Sequence, residues 1–298
     1  MALPRVLALF AFSAVLVLVG WTVPVWATDD AAIARGAYLA AAGDCTACHT
    51  DKKASGALLA GGRPLVTPFG TFYAPNITPD PATGIGKWTL DDFRRALREG
   101  KNEHGSYYYP VFPFTSFTGI SDADSDDLFA YLQSVPPGEH RGPQNAVNFP
   151  FGWRFLMIGW RTLFFHEGPL QSVAGQTEEW NRGRYLAEAV AHCQECHTPR
   201  NFLGALDRAH AYAGNPHGPD GNEAPDITPD KKDGIGDWKL DELIDVLKSG
   251  MTPDGDSVGS GMADMVDGTG QLTDADRHAI AVYITSLPAL PALPKTPK

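Results

Sequence analysis

The feature that most constrains this chain is an internal repeat. Ala74 to Gly100 reads APNITPDPATGIGKWTLDDFRRALREG, and Ala224 to Gly250 reads APDITPDKKDGIGDWKLDELIDVLKSG. Fourteen of these 27 positions are identical at a constant offset of 150. Upstream, Arg35-Gly36-Ala37-Tyr38-Leu39 matches Arg182-Gly183-Arg184-Tyr185-Leu186. A period this long means duplicated domains rather than a solenoid. The expected division is residues 28–148 and 178–288, joined by an aromatic linker at 149–177 and followed by a flexible, proline-rich tail at 289–298.

Each copy reads as mainly α. A helix is expected over about 30–42. A second begins near Thr89, where Thr89 and Asp92 have the spacing of a capping box, and stops at Gly100. A third runs from Ser121 to about Val135 and ends before Pro136-Pro137. The second copy repeats these over 180–191, 239–249 and 273–287.

Residues 1–27 read as an export signal or an N-terminal membrane anchor. Arg5 precedes an uncharged stretch that runs to Thr28. Val25-Trp26-Ala27 fits a small-residue cleavage pattern. The apolar run over 6–25 is also long enough to span a bilayer. Both readings place the chain in the periplasm, free or held at the inner membrane.

The four cysteines stand as Cys45, Cys48, Cys193 and Cys196, two C-x-x-C pairs each followed at once by His49 or His197. C-x-x-C-H is the attachment pattern of c-type haem. Two thiols three positions apart reach two vinyl groups on one haem edge, and the histidine then turns its imidazole under the iron. Zinc is the alternative, but the pairs lie 148 residues apart, far from the usual ligand spacing. A thioredoxin-like motif needs a βαβ setting, which the pattern lacks. Two covalent haems are therefore expected, with His49 and His197 as proximal ligands. The long loops of each copy, unusual in a compact domain, then have a group to wrap.

The sixth ligands differ. Met262 follows Cys193 by 69 residues, in a Gly-rich loop just before the last helix, and is expected to bind the second iron. The first copy has no methionine between Thr28 and Leu156, and Phe112 stands where the repeat offset predicts Met262's counterpart. For the first iron the candidates are His104, one of Tyr107, Tyr108 and Tyr109, or an open position, with His104 placed first. His140 and His166 lie further from the loop.

These motifs resemble the multihaem cytochrome c subunits of bacterial membrane-bound alcohol, gluconate and related sugar dehydrogenases. The matching segments are RGAYLAAAGDCTACHT, TPFGTFYAPNITPDPATGIGKWTLDDF, WNRGRYLAEAVAHCQECHTPRNFLG and VGSGMADMVDGTGQLTDADRHAIAVYITSLP. The resemblance implies two tandem class I cytochrome c domains, each wrapped around one haem c. It also implies electron flow from a periplasmic or membrane dehydrogenase to a downstream cytochrome, oxidase or quinone. Those subunits carry three haem motifs where this chain has two, and a methionine at the position of Phe112.

The chain thus reads as an electron-transfer protein or a subunit of an oxidoreductase complex in a respiratory chain. The competing reading is a dihaem enzyme, peroxidase-like or thiosulfate-dehydrogenase-like, or a ligand-binding sensor, working at the methionine-less haem. A net charge of −11 argues against nucleic acid. Between Asp220 and Asp276, fifteen acidic residues face four basic ones, a solvated surface or a dock for a basic redox partner. Residues 149–165, rich in aromatics, pack the domains together or touch a membrane or partner.

Overall fold

The computed structural model describes residues 29–218 and 221–293. The expected export segment lies outside them, as do residues 294–298. Among the described residues no helix is long and apolar enough to cross a membrane.

The first half holds α1 (Asp30–Ala42), α2 (Cys45–His49), α3 (Leu90–Glu99), α4 (Phe114–Phe117) and α5 (Asp122–Ser134). Between α2 and α3 lies a hairpin of β1 (Pro64–Thr67) and β2 (Gly70–Tyr73). The connecting segment adds β3 (Ala146–Val147), antiparallel to β2, and α6 (Leu156–Phe164). The second half holds α7 (Glu178–Tyr185), which runs on as a π turn over Leu186–Val190, then α8 (Gln194–His197), α9 (Leu240–Ser249), α10 (Ser260–Thr269) and α11 (Asp274–Thr285).

The expected helix boundaries hold because their caps do. Thr89 and Asp92 cap α3 reciprocally, the Thr89 hydroxyl accepting from the Asp92 N–H and the Asp92 carboxylate accepting from the Thr89 N–H. Gly100 ends the helix in the left-handed region at φ 57°. Ser121 and Thr273 cap α5 and α11 through the N–H groups of Asp124 and Asp276. Lys239, before α9, has no side-chain acceptor, and only the return bond forms, from its own N–H to the Glu242 carboxylate at 2.7 Å.

Helix crossing shows the repeat in three dimensions. α1 packs on α5, and α7 packs on α11. At the first crossing a Cβ on Gly36 would meet the Asp127 carbonyl oxygen at 1.9 Å; at the second, one on Gly183 would meet that of Ala279 at 1.8 Å. Only glycine lets the backbones approach so closely.

The halves also grip each other reciprocally. Tyr38 of α1 donates to the Asp276 carboxylate (2.6 Å) and accepts from the Thr273 N–H (3.1 Å), at the start of α11. Tyr185 of α7 donates to Asp124 and accepts from the Ser121 N–H (3.2 Å), at the start of α5. One buried apolar cluster runs through both halves, including Leu39, Leu97 and Leu128 with Leu186, Leu247 and Ile280.

The final segment is tied down where it is described. Leu290 exchanges two hydrogen bonds with the Thr228 hydroxyl (3.1 and 3.2 Å), as Gly138 does with Thr78 (3.1 and 3.3 Å). The tail expected to be flexible is therefore anchored at its root.

Candidate functional site

Both C-x-x-C-H motifs open onto one cavity of about 1310 Å³ with mainly apolar walls. Cys45, Cys48 and His49 line it from one half, and Cys193, Cys196 and His197 from the other. Trp88 and Trp238, recurrent in the repeat, line it as well.

The two histidines are held identically. The Nδ1–H of His49 donates to the Pro75 carbonyl at 2.7 Å, and that of His197 to Pro225 at 2.7 Å. A carbonyl only accepts, so Nδ1 carries the proton and Nε2 keeps its lone pair. A histidine that ligates a metal is oriented in this way by its second nitrogen. Desolvation lowers the pKa of both imidazoles, with the Pro75 and Pro225 carbonyls opposing it, and so favours the neutral form that ligates iron.

Burial pushes the thiols up, Cys45 and Cys193 to about 12 and Cys196 to about 11. These are not the lowered values of thiolates in redox C-x-x-C motifs. Among the described residues no group of three or more His, Cys, Asp or Glu side chains converges to hold a metal ion. The donor set and the apolar walls instead fit haem, held through paired thiols and an imidazole.

Each motif is braced by an arginine from a different place in the chain. Arg63, leading into β1, donates to the Ala47 carbonyl at 2.6 Å. Arg200 donates to the carbonyl of Glu195, the equivalent residue, at 3.1 Å. The Glu195 carboxylate also accepts from Arg200, Thr115 and Ser116 (2.6, 2.7 and 2.9 Å). Burial alone would raise this carboxyl; Arg200 and the hydroxyls overcome it and hold it below its ordinary value. Burial and the nearby Asp264 push the Asp44 carboxyl up to about 7.

Met262 lines the cavity, but from α10 rather than from a loop. Phe112 occupies the matching place in the first half. Tyr108 N–H donates to Gly100 O (2.7 Å) as Val258 N–H does to Gly250 O (2.9 Å), and Lys101 bridges Tyr107 as Met251 bridges Ser257.

His104 is not brought to the cavity. It sits at the tip of the turn between those bridges, its side chain 79% exposed, beside Glu103. The Asn102 side chain accepts from the His104 and Ser106 N–H groups (3.0 and 2.8 Å) and folds the tip outward. His140, His166 and Tyr107 also lie outside the lining, whereas Tyr108 and Tyr109 belong to it. The Tyr109 hydroxyl is already engaged, donating to Phe151 O at 3.1 Å.

Sequence reading missed His192. It lines the cavity one residue before Cys193, with φ 42°, and its ring stands edge-on to Phe117. Its Nε2 lies 3.3 Å from the Gly43 carbonyl, beside the other motif, and its Nδ1 has no hydrogen-bond partner among the described residues. The available signal was its register, since Asp44 precedes Cys45 in the same left-handed conformation.

α6 ties the connecting segment to both halves. Arg154, just before it, donates to the Tyr107 carbonyl, and Trp160 donates to Leu203 O at 2.9 Å. Phe149, Trp153, Phe155 and Ile158 are left exposed.

A helical fold around an apolar cavity lined by two C-x-x-C-H motifs defines a class, the c-type cytochromes. A family model for cytochrome c matches residues 33–136. The chain is 44% identical over 259 residues to a diheme cytochrome c-type protein of Cereibacter sphaeroides, covering 86% of each. It therefore belongs to the cytochrome c family, whose members transfer electrons through haem. It is also 39% identical to the fructose dehydrogenase cytochrome subunit of Gluconobacter japonicus, over 96% of this chain and 60% of that one. With the gluconate 2-dehydrogenase cytochrome c subunit of Pantoea cypripedii it shares 40% identity, over 88% and 60%. The chain spans about three-fifths of the length of these two subunits.

Proposed function

We propose that this chain is a dihaem electron-transfer subunit built of two tandem class I cytochrome c domains, residues 28–148 and 178–288, each wrapped around one haem c. Cys45 and Cys48 hold the first haem and His49 is its proximal ligand. Cys193 and Cys196 hold the second, between His197 and Met262. Bound haem supplies a one-electron centre; the chain's own residues attach, orient and dry it. The carrying observation is that both motifs open on one apolar cavity, each with its histidine fixed at 2.7 Å to a proline carbonyl.

The electron source is a periplasmic or membrane dehydrogenase, in keeping with the names of the relatives. The acceptor is a downstream cytochrome, oxidase or quinone. The exposed aromatic face at Phe149, Trp153 and Phe155 is assigned to the dehydrogenase partner, as contiguous apolar surface marks contact sites. The setting is the periplasm, with residues 1–27 as signal or anchor.

Redox titration of the holoprotein tests this reading. Two electrons taken up per chain, returned to a soluble cytochrome c without turnover of peroxide or thiosulfate, agree with it. Uptake of one electron, or turnover of either substrate, contradicts it.

A further inference from the structure

The loop of the first half brings no histidine or methionine to the cavity. Phe112 holds Met262's place and offers no donor. His104 points away from the cavity, Tyr107 lies outside it, and Tyr109 spends its hydroxyl on Phe151. Tyr108 stands edge-on to Phe112 at 5.5 Å, and burial and Glu103 raise its phenol.

The connecting segment supplies what the loop does not. Met157 is the one methionine between Thr28 and Gly250. It is 6% exposed, the one buried side chain of α6, and it lines the same cavity as His49.

α6 is clamped to the loop that corresponds to the Met262 region. The Arg154 guanidinium binds the Tyr107 carbonyl and lies 5.1 Å over the Tyr109 ring. Arg161 lies 4.8 Å over the Tyr107 ring. Trp160 meets Phe114 edge-on at 6.4 Å. The helix thus closes the first half where α10 closes the second.

A buried methionine often only fills a gap. Here its neighbours argue for more. Ile158, beside it, is 55% exposed, and Trp160, Arg161 and Phe164 complete the inward face only half-buried, so Met157 is the side chain that α6 carries deepest. Met157 is the one soft donor that α6 or residues 107–112 bring to the cavity.

We infer that the Met157 thioether is the sixth ligand of the first haem iron, so that the first haem is His49/Met157 and the second His197/Met262. This rests on the dihaem reading above. It replaces an open iron with a closed one and gives both haems the ligand class suited to electron carriers. The first domain is then completed by the linker rather than by its own loop.

The test uses the reduced holoprotein with ¹³C-methyl-labelled methionine. A methyl bound to low-spin ferrous haem is moved far upfield by the ring current. Two such resonances are expected, one lost in Met157→Ala and the other in Met262→Ala. One shifted resonance in wild type, or two that survive Met157→Ala, overturns the inference. Haem content by pyridine haemochrome is read alongside. Two haems with one shifted methyl refute Met157 alone, whereas one haem per chain refutes the dihaem reading. Should Met157→Ala fail to load haem, Met157→His keeps a donor in place. It is expected to replace one thioether signature with a bis-histidine low-spin EPR signal, and its failure to do so counts against Met157.

Discussion

The two halves share their proximal architecture and differ on the distal side. Gly36 and Gly183, the paired proline carbonyls and the reciprocal tyrosines recur almost contact for contact. Beyond the matched turns that end at Tyr108 and Val258 the cavity walls part. The second half runs into α10, a ten-residue helix carrying Met262. The first has Pro110 and Pro113 at the matching positions, its helix shrinks to the four residues of α4, and Phe112 replaces the thioether. Proline removes a donor and crowds the preceding turn, so a helix like α10 is not available there. The β-hairpin, β3 and α6 close the first half instead. Helix crossing and histidine orientation are kept in both halves, whereas the distal wall is built from different elements in each.

Removing one attachment site is expected to have the largest effect. Cys45→Ser with Cys48→Ser, and separately Cys193→Ser with Cys196→Ser, are expected each to halve the pyridine haemochrome yield. The half that loses its haem also loses much of its apolar core, so each variant should become protease-sensitive there. A yield unchanged by either pair would deny that the halves are equivalent.

The crossings come next. Gly36→Ala and Gly183→Ala each drive a methyl into a carbonyl at under 2 Å. Overpacking of this kind costs about 3 kcal/mol, so both holoproteins should unfold at clearly lower denaturant. A tolerated substitution at one site would show that its crossing has relaxed.

The grip between the halves is where they differ in how the aspartates share their partners. Asp276 receives both Tyr38 and Arg182 (2.6 and 2.7 Å). In the first half the work is split: Asp124 accepts from Tyr185, and Asp127 pairs with Arg35. Losing hydrogen bonds to a partly buried charge costs about 2 kcal/mol, so Asp276→Asn should destabilise more than Asp124→Asn in chemical denaturation. Burial alone would raise the Asp276 carboxyl, but the bonds from Arg182 and Tyr38 and the Arg182 charge hold it below the ordinary range. The stabilisation is therefore present above the unfolded value of about 4 and lost as pH falls through the folded value. The gap between the two variants should close on acidification; a gap that widens in acid contradicts this assignment.

The smallest effect is expected from Phe112→Met. With Met157 intact, the haem spectra should barely change. In Met157→Ala the same substitution should restore a shifted methionine methyl, making the first half resemble the second.

Much of this was legible in the sequence. The repeat, the haem motifs and the capped helices rest on local rules that Thr89, Asp92, Ser121 and Thr273 obey. α10 was hidden because Gly261 and Gly268 inside it depress helix propensity, and the helix packs against α1 and α9. α6 was hidden because exposed Leu156, Ile158 and Leu163 blur the inward stripe of Met157, Trp160 and Phe164, and its contacts with Tyr107, Tyr109 and Leu203 are tertiary. His104 misled because nearness to a loop in sequence does not fix direction, and the Asn102 turn aims it outward. Met157 was passed over because it falls just outside the first copy, in a segment that only folding brings back onto it.

Intact mass of the holoprotein, followed by peptide mapping, tests the dihaem assignment. Two covalent haems per chain are expected, one on the peptide containing Cys45 and Cys48 and one on that containing Cys193 and Cys196. A mass with a single haem, or two unmodified C-x-x-C-H peptides, would contradict it.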